Sequence, residues 1–381
     1  MPRLPRRSRP APLPVGAPPA LLEYLRQGPE PLAASGGSAS ADGPLRVAIV
    51  IPPFRRGSGG HRTIADLVRG LENRGHEISL WLDDGEGRHA GDADVGAMFR
   101  EYFGPVRAAV HRDMSGFSGG DVVMATGWQT VHRVLRLPGA RARAYLVQDH
   151  EPEFFGTSAE RTWAQETYGL GLHCICASPW LAGLVRERYG ASASAFDLGI
   201  DHDAYKPWPV HRRDDLVLLY ARAVTARRAV PLGLLALEEL HRRRPKVELM
   251  LFGDTTPVAA PFPHRHLGVL DREGLAHAYN SATVGVVLST TNPSLVPTEM
   301  LACGLPVVDL ASDAMVDTFG ADGPIALAAF DPLAIADAIE GLLDDLELRA
   351  AHMRDGLALA ATRTWAHAAE QVEAGLRAAL D

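Results

Sequence analysis

Short apolar runs that end at proline, glycine or a polar turn, and then pass into helical periodicity, recur along most of this chain. Few architectures accept that alternation. The first run, Leu45-Arg46-Val47-Ala48-Ile49-Val50-Ile51, lies between Pro44 and Pro52 and predicts a strand buried on both faces. Gly57-Ser58-Gly59-Gly60 follows. Thr63 to Asn73 then carries Ile64, Leu67, Val68 and Leu71 at helical spacing, Gly75 stops the helix, and a second strand is predicted over 78–82. This β-α-β unit with a glycine-rich first turn is the opening of a doubly wound parallel sheet. Further strands are predicted over 106–110, 121–125, 144–147 and 173–177, with helices over 159–168 and from Pro179 to about Tyr189, where Ser178 is placed to cap.

After Pro207 and Pro209 the pattern starts again. Strands are predicted over 216–221, 247–252, 284–288 and 307–310, and helices over 231–240, 273–281 and 298–303. The chain is therefore read as α/β with two Rossmann-like doubly wound domains, 45–207 and 208–360. A helix over 361–381 follows, its apolar face expected to cross back to the first domain. Residues 1–44, rich in proline, arginine and glycine, are expected to be a disordered lead with one or two helical turns around Ala20 to Arg26.

Composition narrows the function classes. A net charge of -8 argues against nucleic-acid binding. Cys174, Cys176 and Cys303 give neither a zinc spacing nor a disulfide framework, which fits a reducing cytoplasm. Prolines interrupt any signal-peptide core in the lead, and no run reaches the roughly 18 apolar residues of a membrane span. Arg3, Arg6, Arg7 and Arg9 allow at most a peripheral contact with the inner membrane face.

Three stretches carry the candidate chemistry. The first, residues 289–309, passes from a strand through Thr290-Thr291-Asn292-Pro293-Ser294 into a helix. Unpaired N–H groups at such a helix start make an anion site. Glu299 is its only acid before Asp309. In the second stretch, Arg222 stands at the tip of the 216–221 strand with Arg227 a turn away. A planar guanidinium suits a diphosphate, whereas Arg228 reads as a solvated basic edge. The third, Gln148-Asp149-His150-Glu151-Pro152-Glu153-Phe154-Phe155, is a polar cluster at a strand's C-terminal end, where open α/β sheets place ligands. Gly253 closes the 247–252 strand and, with Thr291 and Asn292, is counted among the ligand-binding positions. Gly59 and Gly60 allow either a plain tight turn or a floor for phosphate or acceptor.

These residues together resemble the GT-B glycosyltransferases. Glu299-Met300-Leu301-Ala302-Cys303-Gly304-Leu305-Pro306-Val307-Val308 is similar to the E-A-M-A-x-G-x-P-V-V segment of the retaining family 4. Y-L-V-Q-D-H-E-P-E-F-F, Y-A-R-A-V-T-A-R-R and N-P-S-L-V-P-T-E-M-L-A-C-G look closer to its rhamnosyltransferase branch, which builds bacterial surface polysaccharides. The resemblance covers about residues 45 to 375 and implies two domains facing across a cleft. It implies Glu299 on the ribose, Arg222 and Arg227 on the diphosphate, and backbone N–H groups of Ser294, Leu295 and Val296 on the phosphates. Gly59 and Gly60 would lie near phosphate or acceptor, Gln148, Asp149 and His150 near the sugar, and Asp149 would orient the acceptor. Thr291, with Asn292 beside it, stands where that family has a second glutamate. The missing acid suits a deoxy sugar, L-rhamnose from a deoxythymidine diphosphate donor.

The expected reaction is glycosyl transfer to a glycan or small-molecule acceptor, with retention and with no metal or other cofactor. Arg222, Arg227 and a helix N-terminus would take up the leaving charge. Two rivals remain. A nucleotide-sugar 2-epimerase on the same fold would turn over donor alone, and a non-catalytic sugar- or nucleotide-binding module would show no turnover with any acceptor.

Overall fold

All strand pairings described in this computed structural model, which covers residues 17–34 and 43–381, are parallel. The chain divides into two units. One holds the residues up to Leu146 with Ser158–Leu172 and Ala379–Asp381, and the other holds Val147–Thr157 and His173–Ala378.

The first unit runs α1 (Leu21–Gln27), β1 (Arg46–Ile51), α2 (Gly59–Asn73), β2 (Glu77–Leu82), α3 (Val95–Phe103), β3 (Ala109–His111), β4 (Gly120–Ala125), α4 (Trp128–Arg136), β5 (Ala140–Val147) and α5 (Ala159–Thr167). Its strand order is β3-β2-β1-β4-β5, so the winding reverses between β1 and β4. β1 is buried after its first residue, as a parallel strand covered on both faces must be.

The lead holds more structure than its composition suggests. Residues 17–34 include α1, as the one or two turns expected there. The Tyr24 ring meets the His132 ring, Arg136 Nη1 donates to the Gly28 carbonyl, and Glu30 N–H donates to the Leu135 carbonyl. Polar anchors of this kind leave no apolar periodicity to read. The rest of the lead lies outside the described residues.

The second unit runs β6 (His173–Cys176), α6 (Pro179–Tyr189), β7 (Ala193–Ala195), β8 (Leu216–Tyr220), α7 (Val230–Arg243), β9 (Glu248–Phe252), β10 (Arg265–His266), α8 (Arg272–Ser281), β11 (Val284–Val286), α9 (Leu295–Ala302), β12 (Val307–Leu310), α10 (Asp313–Phe319), β13 (Ile325–Ala328), α11 (Pro332–Asp344), α12 (Leu346–Thr362) and α13 (Trp365–Ala378). Its main sheet has the order β10-β9-β8-β11-β12-β13. Successive residues of β8 enter opposite cores, because side chains alternate along a strand. Val217 and Leu219 join Leu237, Leu251 and Ile339 on one face, while Leu216 and Leu218 join Tyr279, Met300 and Leu301 on the other. The winding reverses between β8 and β11, which places Arg222 and residues 289–294 on the two sides of that switch.

The spacing predicts a helix over 298–303, whereas α9 starts three residues earlier. Pro297 hides that start from a reading by periodicity, although proline is tolerated in a first turn whose N–H groups lack helical partners. The last helix, α13, packs on β6 and β7, strands that the sequence places in the first domain and compactness places in the second unit. Among the described residues, no helix is long and apolar enough to cross a membrane.

Gly199 sets how closely α13 approaches. A Cβ there would lie 2.5 Å from Trp365 N and 2.6 Å from its ring. Ile200 N–H donates to the Arg363 carbonyl, Asp197 N–H donates to Gln371 Oε1, and Arg363 pairs with Asp197. The Gly199→Ala substitution is expected to destabilise the fold by about 1–3 kcal/mol through overpacking. A lower urea midpoint at unchanged slope is the expected readout, and an unchanged midpoint would show that the helix has room to shift.

Candidate functional site

Asp149 stands two residues past the end of β5 and is 6% exposed. Oδ1 accepts from His150 N–H at 2.9 Å and from Asn292 N–H at 3.1 Å. Oδ2 accepts from the Thr291 hydroxyl at 3.2 Å and stands 2.8 Å from Arg227 Nε. One carboxylate thus joins the end of β5, the turn after β11 and the turn after β8. An acid at an open strand end suggests a group waiting for a substrate. Here both oxygens are already occupied by protein donors, so Asp149 works as a tie rather than as a free group orienting an acceptor.

Thr291 and Asn292 belong to that tie. Both are buried. Asn292 Nδ2 donates to the carbonyls of Gln148 and Ala177, and its Oδ1 accepts from the Ser178 hydroxyl at 2.6 Å. Ser178 also caps α6, accepting from Leu181 N–H. Thr291 and Asn292 were expected to touch the donor, and their side chains are instead bonded to protein. At Thr291, where the resemblance implies an acid, a carboxylate is not missing from the locality, because Asp149 supplies one. An acid at 291 would place two carboxylates together in a buried position.

The two arginines differ from their neighbour. The side chain of Arg222, half-buried just past β8, has no hydrogen bond or ion pair among the described residues, while its carbonyl accepts from Thr225 N–H. Arg227 lies in a single 3₁₀ turn, Ala226–Arg228, whose position is fixed by Thr290. The Thr290 N–H and hydroxyl both donate to the Arg227 carbonyl, at 3.2 and 3.0 Å. Its guanidinium lies 4.1 Å over the Phe154 ring, and its terminal nitrogens have no partner among the described residues. Arg228 corrects the sequence reading. It is 5% exposed rather than solvated, and Nη1 donates to Ser289 Oγ at 3.1 Å. Burial lowers its pKa and the nearby Asp149 opposes that shift.

Ser294 is the residue before α9. Its hydroxyl makes no cap bond, and the oxygen is sealed from solvent without a partner. The N–H groups of Ser294, Leu295 and Val296 have no acceptor among the described residues, and Pro297 supplies no N–H. Glu299 sits one turn further, half-buried, with the Tyr279 hydroxyl at 3.5 Å. His150 Nε2 lies 2.7 Å from the Tyr189 hydroxyl and its Nδ1 3.6 Å from Glu153, so its ring faces protein groups. Gly253 has φ +108°, and a Cβ would lie 2.5 Å from the Tyr220 ring. Ring packing explains that glycine without a ligand. Gly59 and Gly60 open α2 in the first unit, exposed, and a Cβ on Gly59 would meet nothing within 4 Å. The second unit therefore brings together the residues around 148–154, 222–228 and 289–299, and the glycine turn belongs to the first unit.

Asp309 is the residue the sequence does not single out. It is the third residue of β12, wholly buried, and accepts from Ser289 N–H at 2.6 Å, the Ser289 hydroxyl at 3.0 Å and Leu310 N–H at 2.7 Å. A lone acid inside an apolar Val-Val-Asp-Leu strand is the signal that could have found it. Burial pushes its pKa up from 3.8 to about 7, against the pull of those donors and of Arg228.

Comparison with known proteins places this geometry. Residues 215–340 match the family described as WsaF, C-terminal domain. Over 270 residues the chain is 32% identical to the O-antigen biosynthesis protein RfbC of Myxococcus xanthus, covering 68% of this chain and 21% of that protein, so the chain spans about a fifth of its relative's length. The sucrose-phosphate synthase of Thermosynechococcus elongatus superposes with a TM-score of 0.65 at 15% identity, over 87% of this chain and 98% of that one. HepE of Anabaena, in complex with UDP-glucose, gives 0.65 at 14% identity over 88% and 100%. WaaG, a glycosyltransferase involved in lipopolysaccharide biosynthesis, gives 0.61 at 14% over 86% and 98%. At these identities the likeness shows the fold, which is the GT-B architecture of two Rossmann-like parallel-sheet domains.

The Asp309 carboxyl holds its proton more tightly in the folded chain than in the unfolded one. Its contribution to stability is therefore full below about pH 4 and fades as pH rises through about 7. The Asp309→Asn protein is expected to lose that decline, which melting temperatures measured from pH 4 to pH 8 would reveal. A decline of the same steepness in both proteins would assign the titration to another group.

Proposed function

We propose that this chain is a glycosyltransferase of bacterial surface-polysaccharide assembly, moving a sugar from a nucleoside diphosphate to a glycan or small-molecule acceptor. One observation carries the reading. At the topological switch of the second sheet, Arg222 and the terminal nitrogens of Arg227 are uncommitted, and the turn bonded to Arg227 leads to three uncommitted N–H groups at the start of α9. This is the place where doubly wound sheets bind ligands, and the donors suit a doubly charged group. The 32% identity to an O-antigen biosynthesis protein and the UDP-glucose bound by HepE support the polysaccharide and nucleotide-sugar parts of the proposal.

In this mechanism the bond from sugar C1 to the diphosphate oxygen breaks as the acceptor oxygen bonds to C1, and the acceptor proton passes to the departing phosphate. Arg222, Arg227 and the α9 N–H groups stabilise the charge that develops on that phosphate. Acceptor attack on the face the phosphate leaves gives retention. The step needs no metal and no protein nucleophile. The residues around Glu299 bind the nucleoside. The finer donor assignment, L-rhamnose from a deoxythymidine diphosphate, rests on the resemblance of the three quoted stretches to the rhamnosyltransferase branch. A place in the cytoplasm is inferred from three cysteines that form no disulfide framework, and at most a peripheral contact with the inner membrane face from the arginines of the lead.

A thermal-shift panel of deoxythymidine-, uridine- and guanosine-diphosphate sugars tests the donor, since a ligand that binds only the folded form raises the melting temperature. The deoxythymidine compounds are expected to give the largest rise. Turnover that requires an added acceptor separates transfer from 2-epimerisation. With the donor so identified, Arg222→Ala is expected to slow turnover by about 10²–10³ with the fold intact. Near-normal rates would remove Arg222 from the diphosphate site. Glu299→Ala is expected chiefly to weaken nucleotide binding, and an unchanged affinity would leave Glu299 a partner of Tyr279 only.

A further inference from the structure

We propose that residues 148–155 form a clamp for Arg227, with Asp149 holding the Nε edge of the guanidinium and Phe154 its face. The clamped group presents its two terminal nitrogens as a fixed fork to the diphosphate. The inference rests on the diphosphate reading of the preceding subsection and assigns Phe154 and Asp149 as positioning residues for Arg227.

Phe154 is 40% exposed. Its ring is not idle there. It lies 4.1 Å from Arg227 Cζ, within cation–π range, and Phe155 packs beside it at 6.4 Å. The 3₁₀ turn Glu151–Phe154 packs on the 3₁₀ turn Ala226–Arg228. Arg227 Nε is sealed from water and faces the Asp149 carboxylate at 2.8 Å without being aligned for a hydrogen bond. The ion pair fixes one edge, the ring fixes the plane, and the Thr290 donors fix the backbone.

A free arginine has many rotamers, and most of the cost of using one as a ligand is ordering it. Ordering it in advance leaves that cost out of ligand binding. Asp149 adds a second effect, since its bonds to Thr291 and Asn292 hold the turn before α9 in register with the arginine. The E-P-E-F-F part of the motif, which the transfer reaction itself does not employ, acquires a purpose in this way.

Isothermal titration of the full chain with inorganic pyrophosphate tests the clamp. Phe154→Ala is expected to weaken pyrophosphate binding about fivefold, the size of one solvent-accessible cation–π contact. Phe154→Trp is expected to restore it. In an Arg227→Ala background, removing the ring is expected to cost nothing more, because the two residues act as one unit. Undiminished binding by Phe154→Ala, or an equal loss with and without Arg227, would overturn the clamp. If Arg222→Ala and Arg227→Ala both leave pyrophosphate affinity unchanged, or the unaltered protein does not bind it, the diphosphate reading itself fails. Melting temperatures of each variant separate a local effect from a loss of fold.

Discussion

The buried Asp149 carboxylate does most to compensate the basic floor of this site, with Asp309 adding less. Arg227 and Arg228 stand side by side, one partly covered and the other buried, and like charges so placed repel unless an acid is near. Asp149 pairs with the first and lies close enough to offset the burial of the second. Its oxygens also order the Thr291-Asn292 turn. Without that acid, both turns would have to find new partners in a place water does not readily reach. The donors of Arg222, Arg227 and α9 that remain without a protein partner are the groups on which the proposed diphosphate reading rests.

A second layer lies beneath. Ser289 connects Arg228 to Asp309, so the strand end after β11 is bonded to β12 and to the turn after β8 through one hydroxyl and one N–H. Ser312 Oγ donates to the Ser289 carbonyl and ties the next helix start to the same residue. The polar atoms under the site are satisfied by one another, as burial demands. The Ser294 hydroxyl is a departure, and it lies at the helix start where the free N–H groups are.

Much of this was legible in the residues. Bounded apolar runs gave the strands, because a parallel strand covered on both faces must be apolar throughout. Arg222 and Arg227 could be singled out because position at a strand tip depends only on local order. The roles of Thr291, Asn292 and Asp149 could not, since they depend on which of several strand ends meet. About 140 residues separate Asp149 from Thr291, and no local pattern encodes that pairing. Arg228 was misread for the same reason, because a charge pair in sequence looks solvated until a distant serine and two acids surround it. The start of α9 was missed through Pro297, and Gly253 was credited to a ligand when the Tyr220 ring accounts for it. Phe154 carried no signal at all, since one more aromatic in an aromatic pair reads as a plain anchor.

The segment Val147–Thr157 lies in sequence among the strands of the first unit and counts by its packing with the second. Exchange at the domain boundary near 207 that the sequence suggests would therefore carry away the arginines and leave Asp149 behind. A chimera that joins residues 208–381 to another protein's first half keeps Asp309 and Ser289 beside Arg228 but inherits Arg227 without its paired carboxylate unless the new partner supplies one. Recombination within this fold is thus constrained by charge at a single strand end, and compatible partners can be sorted by whether they carry an acid there.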